Sequence, residues 1–272
     1  MSWCLRGQDL RTVKESFGKS LEYSIHSVIQ RDEPYLDLFE NRRMFVNGPL
    51  VHFYTHQASG TGDLFNPIAL EVDRLPDLDY RDTDTWTEIA LGGEHAGVLT
   101  HPAYLFRFMT NRARATRFFE AFLCSPFQPP SAGLPEASAE SARNPDLQTR
   151  DGCKYCHAML EPAAAHWGRW PEVSAGFLSP ATHMAEDPEC VECALSGARC
   201  NAFCRENYLV KALTPQEEPF LGKLEAYAFR RQEHEHHVEL GPKYLARLVT
   251  ADHRLPDCVS RNTVQWLLGR DA

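Results

Sequence analysis

Residues 153–157 read Cys-Lys-Tyr-Cys-His, a C-x-x-C-H sequence. This spacing attaches c-type haem. Two thiols separated by two residues can present both sulfurs from one short helical turn to one edge of a porphyrin. There they add across its two vinyl groups as thioethers, and the adjacent imidazole falls beneath the iron as its axial ligand. Cys153 and Cys156 are thus the candidate attachment residues, and His157 the candidate proximal ligand. The same residues allow half of a zinc site, a redox dithiol or a disulfide-closed turn. A redox dithiol follows a strand in a thioredoxin-like unit, whereas this motif follows a stretch rich in Pro, Ser and Ala. Spacing does not fix the sixth iron ligand. Met184, 27 residues after His157, is the first choice, because thioether ligation raises the potential and suits electron transfer. Core packing is its ordinary alternative, and His166 and His183 compete for the role.

A second cluster, Cys190, Cys193, Cys200 and Cys204, places four cysteines in fifteen residues. Four thiolates can hold zinc or an iron–sulfur cluster, or close two disulfides. Covalent haem attachment takes place outside the bacterial cytoplasm, where thiols oxidise, so two disulfides are the favoured reading and zinc the second. Four cysteines allow three pairings, and sequence does not choose among them. Of the nine cysteines, Cys4, Cys124 and Cys258 are left over. A Cys124–Cys258 bond would tie the end of the N-terminal half to the last helix. His234, His236 and His237 alternate with glutamates and read as a solvated surface rather than a metal site. Trp167 and Trp170 read as aromatic packing near the motif. There is no G-x-S-x-G, no H-E-x-x-H and no Gly-rich phosphate loop, so an electron-transfer protein or subunit is expected rather than a stand-alone enzyme.

The elements that must position these residues are mainly helical. Over residues 9–31, Leu10, Val13, Phe17, Leu21, Tyr23, Ile25, Val28 and Ile29 recur at mostly three- and four-residue steps, which predicts an amphipathic helix. A second helix is expected from Gly48 to His56, led by Pro49. Short strands are expected at Ile68–Val72 and Thr87–Leu91, and a helix over 101–124. From Pro126 to Asp151 the chain is rich in Pro, Ser, Ala and Gly, which reads as a linker or a surface-wrapping loop. Later helices are expected at 217–232, 242–250 and 259–268. The expected organisation is therefore a helical domain over 1–125, a linker over 126–151 and a cysteine-rich, cytochrome-c-like domain over 152–272.

Composition narrows the function classes. The 272 residues are 43% hydrophobic and 24% charged, an ordinary globular balance. A formal charge of −9 disfavours nucleic acid as a partner. No stretch approaches the roughly 18 apolar residues that a membrane-spanning helix needs. The motif implies a periplasmic or secreted location, yet the N-terminal residues carry no signal-peptide pattern.

Several segments, in order, resemble one family of secreted bacterial proteins, the planctomycete-type cytochrome c domain proteins, which are built of domains of unknown function. The similar segments are Arg43–Tyr54 (RMFVNGPLVHFY), Ala96–Pro102 (AGVLTHP), Phe122–Pro130 (FLCSPFQPP), Cys153–His157 with its continuation Ala158–Pro162 (AMLEP), Cys258–Asn262 (CVSRN) and Leu268–Arg270. The resemblance runs from about residue 10 to 270 and covers what looks like the C-terminal part of that family. It implies a mostly helical, extracytoplasmic protein with covalent haem c and a redox partner protein. The chain departs from the family after Pro162, where it reads Ala-Ala-Ala-His-Trp-Gly-Arg-Trp, and in the insert carrying Cys190 to Cys204. The alternative from the residues alone is a non-haem interaction domain, stapled by disulfides or by a Cys4 zinc site.

Overall fold

The computed structural model describes residues 10–59, 68, 70–128, 131, 133–134, 136, 138–198, 200–225 and 231–269. Cys4 lies outside them. The described chain is mainly α, as expected, with one two-stranded antiparallel sheet. It divides into two compact units. The first comprises residues 1–109 and 170–178, and the second 110–169 and 179–272. This differs from the division expected from composition, in which the borders fall at 125 and 151. The described residues of the Pro/Ser/Ala-rich stretch are mostly loop and fall within the second unit.

In the first unit, α1 (Leu10–Gln30) lies against β1 (Arg43–Val46), α3 (Gly48–Ser59) and α4 (Pro102–Arg107). Short α2 (Asp37–Glu40) sits by a 3-10 turn at Gly97–Thr100. β1 pairs with β2 (Thr87–Ala90) in the register Met44 to Ile89. Among the described residues of the predicted strand at Ile68–Val72, Leu70 forms a bridge with Leu91 and Val72 begins a 3-10 turn. The buried face of α1 is only partly the apolar one. Val13, Phe17 and Val28 are buried, but so are Ser16, Ser20, Ser24 and Ser27, while Tyr23 and Ile29 face solvent. Serines let neighbouring backbone approach closely, and their hydroxyls find partners as burial requires. Ser20 donates to the Phe45 carbonyl at 2.6 Å, Ser24 to the Ser20 carbonyl at 2.8 Å, and Asn47 donates to Ser16 at 2.9 Å.

Two of the family-like segments are structural here. Asn47 Oδ1 accepts from Leu50 N at 3.3 Å at the start of α3. A Cβ on Gly48 would fall 1.8 Å from the Asp79 carbonyl oxygen. In Ala96–Pro102, Thr100 Oγ1 accepts from Ala96 N at 2.7 Å. His101 caps α4 by accepting from Ala103 N on Nδ1 at 3.2 Å. Its Nε2 therefore carries the proton and faces Ser20 and Ser24 at 3.3 and 3.5 Å. Both serines already donate to carbonyls, so this is a satisfied buried network and not an activated nucleophile.

The helix predicted over 101–124 is two helices. Thr110 accepts from Ala113 N at 3.1 Å and caps α5 (Asn111–Leu123), which belongs to the second unit. There α6 (Lys154–Ala165) packs between α5 and α9 (Gln232–Thr250), and α10 (Arg254–Leu267) lies on α5. Cys124, left-handed at φ 46°, ends α5 and is disulfide-bonded to Cys258 of α10. The predicted helix at 217–232 is absent from the described part of that range. A 3-10 turn at Glu218–Phe220 leads to bridges of Lys223 and Leu224 with Glu186 and Tyr208, and residues 226–230 lie outside the description. Within α9 the backbone kinks at Gly241 (φ 66°) before Pro242, so the expected helix 242–250 is its second segment. The expected 259–268 begins earlier, at Arg254. Among the described residues, no helix is long and apolar enough to cross a membrane.

Gly97 tests the first unit. Its φ is +48°, and a Cβ would meet the Leu38 carbonyl oxygen at 2.0 Å. Gly97→Ala is expected to destabilise the protein by about 3 kcal/mol, read as a lower urea midpoint. An unchanged midpoint would contradict this packing.

Candidate functional site

The C-x-x-C-H residues open α6. Cys153 occupies its N-cap position, and Cys156 and His157 lie in the first turn. Both thiols are partly exposed and unpaired, and are the free cysteines among the described residues. Tyr155 and Met159 beside them are about half exposed. One helical turn beyond His157, Glu161 is fully buried. Its Oε1 accepts from Arg112 Nε of α5 at 2.8 Å and is also hydrogen-bonded to His157 Nδ1. An oxygen accepting from a guanidinium is an acceptor for the imidazole too, so Nδ1 carries the ring proton. His157 Nε2 is left with the lone pair that a metal takes. A carboxylate on the far nitrogen of a ligating histidine is a common arrangement behind metals. Covalent haem c requires two thiols for its vinyl groups and one imidazole for its iron, and these residues fit the group.

The second half of α6 holds this turn in place. Leu160, Ala163, Ala164 and Ala165 are buried, and small side chains allow close packing between α5 and α9. Trp167 packs against Phe118, at 6.4 Å between ring centroids. Arg169 places its fork on the Glu239 carboxylate at 2.7–3.1 Å and donates to the His183 carbonyl at 2.9 Å. Trp170 belongs to the first unit, where it meets His95 and Phe177.

The candidates for the sixth ligand are held in different ways. The Met184 side chain is 44% exposed, and its carbonyl accepts from the Tyr208 hydroxyl at 3.0 Å. His183 lies beside Thr182 Oγ1 at 3.0 Å and against the Phe203 ring. His166 is buried, with Nδ1 on the Gly241 carbonyl at 3.0 Å. Its ring stacks on His237, whose Nδ1 meets the Pro162 carbonyl at 3.0 Å. This corrects the reading of the histidine run as solvated surface. His234 is buried and His237 is half-buried in the α6–α9 contact, while His236 is exposed. Helical periodicity places 234, 237 and 238 on one face, a signal that the alternating glutamates mask.

The four-cysteine cluster forms two disulfides, Cys190–Cys204 and Cys193–Cys200. The first pair lies on α7 (Pro188–Ser196) and α8 (Ala202–Asn207). Asp187 caps α7 by accepting from Glu189 N and Cys190 N at 3.0 and 3.2 Å. Left-handed Gly197 ends it, and Asn201 caps α8 from Cys204 N at 2.8 Å. The chain reverses between the helices, so near cysteines pair inside far ones. Asp187, Cys190 and Cys204 bring an oxygen and two sulfurs within 4.8 Å of one another. In the oxidised chain those sulfurs are bonded to each other, and zinc takes thiolates.

Comparison with protein-family models, curated proteins and solved structures finds no match.

Glu161 and Arg112 are the site residues that the motif alone does not reveal. The spacing of four between His157 and Glu161 was a visible signal, whereas Arg112 is distant in sequence and becomes a neighbour only through helix packing.

Two measurements check the site. Protein made without haem maturation and alkylated without reductant should carry label on Cys153 and Cys156. Peptide mapping should return the pairs 124–258, 190–204 and 193–200, and label on any of those six would refute the pairing. Burial pushes His166 down to about 3, with His237 adding repulsion. An unfolded histidine takes its proton near pH 6.5, so stability is complete above that pH and is lost as pH falls towards 3. His166→Gln should therefore lose less stability than wild type between pH 7 and 5, by roughly 2 kcal/mol. Parallel losses in urea titrations would refute this.

Proposed function

We propose that this protein is an extracytoplasmic c-type haem protein that transfers electrons to or from a redox partner protein. Cys153 and Cys156 form the thioethers, and His157 is the proximal ligand. One observation carries the reading. Six of the described cysteines are used in disulfides, and the two left as thiols are those of the C-x-x-C-H motif, one turn before a carboxylate that orients its histidine. A chain that oxidises six thiols but spares an adjacent C-x-x-C pair has another use for that pair. Bound haem supplies one-electron chemistry. The chain's own part is to hold the imidazole by its Nδ1 and to leave both thiols reachable at the surface. The ordered resemblance to planctomycete-type cytochrome c domain proteins supports the same reading. Three disulfides support an oxidising compartment, the periplasm or outside the cell. Met184 is proposed as the sixth ligand.

Expression behind an export signal, together with a haem-maturation system, tests this. The wild-type product should gain the mass of one haem and show a pyridine-haemochrome band, and Cys153→Ala with Cys156→Ala should abolish both. A colourless wild-type product would overturn the proposal in favour of a disulfide-stapled interaction domain. Met184→Ala should keep the haem but change its spin state and potential, and an unchanged spectrum would move the sixth position to His166, His183 or water.

A further inference from the structure

The group that orients His157 differs from those that orient other histidines in this chain. His95, His166 and His237 each place Nδ1 on a backbone carbonyl, those of Thr100, Gly241 and Pro162, all at 3.0 Å. A neutral carbonyl is thus sufficient to fix a ring in this fold. At His157 the acceptor is instead a carboxylate with no exposed surface. Burying it is costly unless a cation answers it, and α5 supplies Arg112 at 2.8 Å on the same oxygen. The two helices therefore maintain an anion behind this one imidazole, where low dielectric strengthens its effect.

Resting on the proposed function, we propose that Glu161 is a positioning residue that acts through His157 to set the potential of the haem. An anionic acceptor on Nδ1 draws the ring proton towards itself, makes Nε2 a stronger electron donor and favours the oxidised iron. Hydrogen bonding behind the axial ligand is one of the few levers a protein has on a haem centre. The centre is then held lower than a neutral acceptor on Nδ1 would leave it. Arg112 has a supporting part, since its guanidinium is the cation set against the same carboxylate oxygen.

The experiment uses the haem-loaded protein, with covalent haem quantified first. Glu161→Gln keeps the size and an accepting oxygen but removes the charge. At the wild-type midpoint, its ratio of reduced to oxidised haem should be at least tenfold higher, a rise of 59 mV for a one-electron couple. The ferrous iron–histidine stretch, read by resonance Raman with Met184→Ala added to both proteins to open the sixth position, should fall in frequency. Glu161→Asp, which keeps the charge on a shorter arm, should lie between the two. It decides the matter if the glutamine variant does not fold by circular dichroism. A wild-type midpoint in a haem-loaded, folded Glu161→Gln protein, or in Glu161→Asp if that is the variant that folds, overturns this inference and leaves the proposed function standing. Wild-type protein that takes up no haem overturns both.

Discussion

A buried carboxylate must be answered by a cation or by several donors, and that requirement organises the second unit. Glu161 has no exposed surface and is met by Arg112 and His157. Arg112 reaches it only because α5 lies along α6, which in turn depends on alanines where the helices touch and on Trp167 against Phe118. On the opposite side the imidazoles of His166 and His237 each reach a carbonyl of the other's helix. The interaction at Glu161 is thus the point at which helix packing becomes chemistry, because it determines which nitrogen of His157 is available.

The cysteines divide the labour differently. The α7–α8 hairpin has little hydrophobic mass, and small elements of that kind need covalent staples. Its helices are also capped, at both ends of α7 by Asp187 and Gly197 and at the start of α8 by Asn201. Arg169 and Tyr208 then fix the neighbouring backbone through the carbonyls of His183 and Met184. The loop that carries Met184 is therefore anchored at both carbonyls while Met184 itself remains partly exposed.

Local features were legible in the sequence and distant ones were not. The C-x-x-C-H turn could be read because its geometry is set within five residues. The helix at 48–56 followed from Pro49 at its start, a local constraint, whereas the need for Gly48 beside the Asp79 carbonyl was not visible. The face of α1 was misjudged because apolar periodicity counts Tyr23 and Ile29 and passes over the serine stripe, whose burial depends on hydroxyl partners elsewhere. The helix expected at 217–232 gave way where Pro219 and Gly222 interrupt it and the bridges of Lys223 and Leu224 take over. The nested disulfide pairing required the reversal between α7 and α8, and the Arg112–Glu161 contact required the packing of α5 on α6. The unit boundary was displaced for the same reason: α5 is joined to the first unit by sequence and to the second by its core.

The bond between Cys124 and Cys258 has a topological consequence. It closes a ring of chain that contains the Pro/Ser/Ala-rich stretch, α6 with its thiols, the stapled hairpin and α9. A peptide bond cut anywhere inside that ring still leaves one covalent molecule. A proteolytic nick in the loop before Cys153 would cost the molecule chain continuity but not the covalent link between α5 and α10.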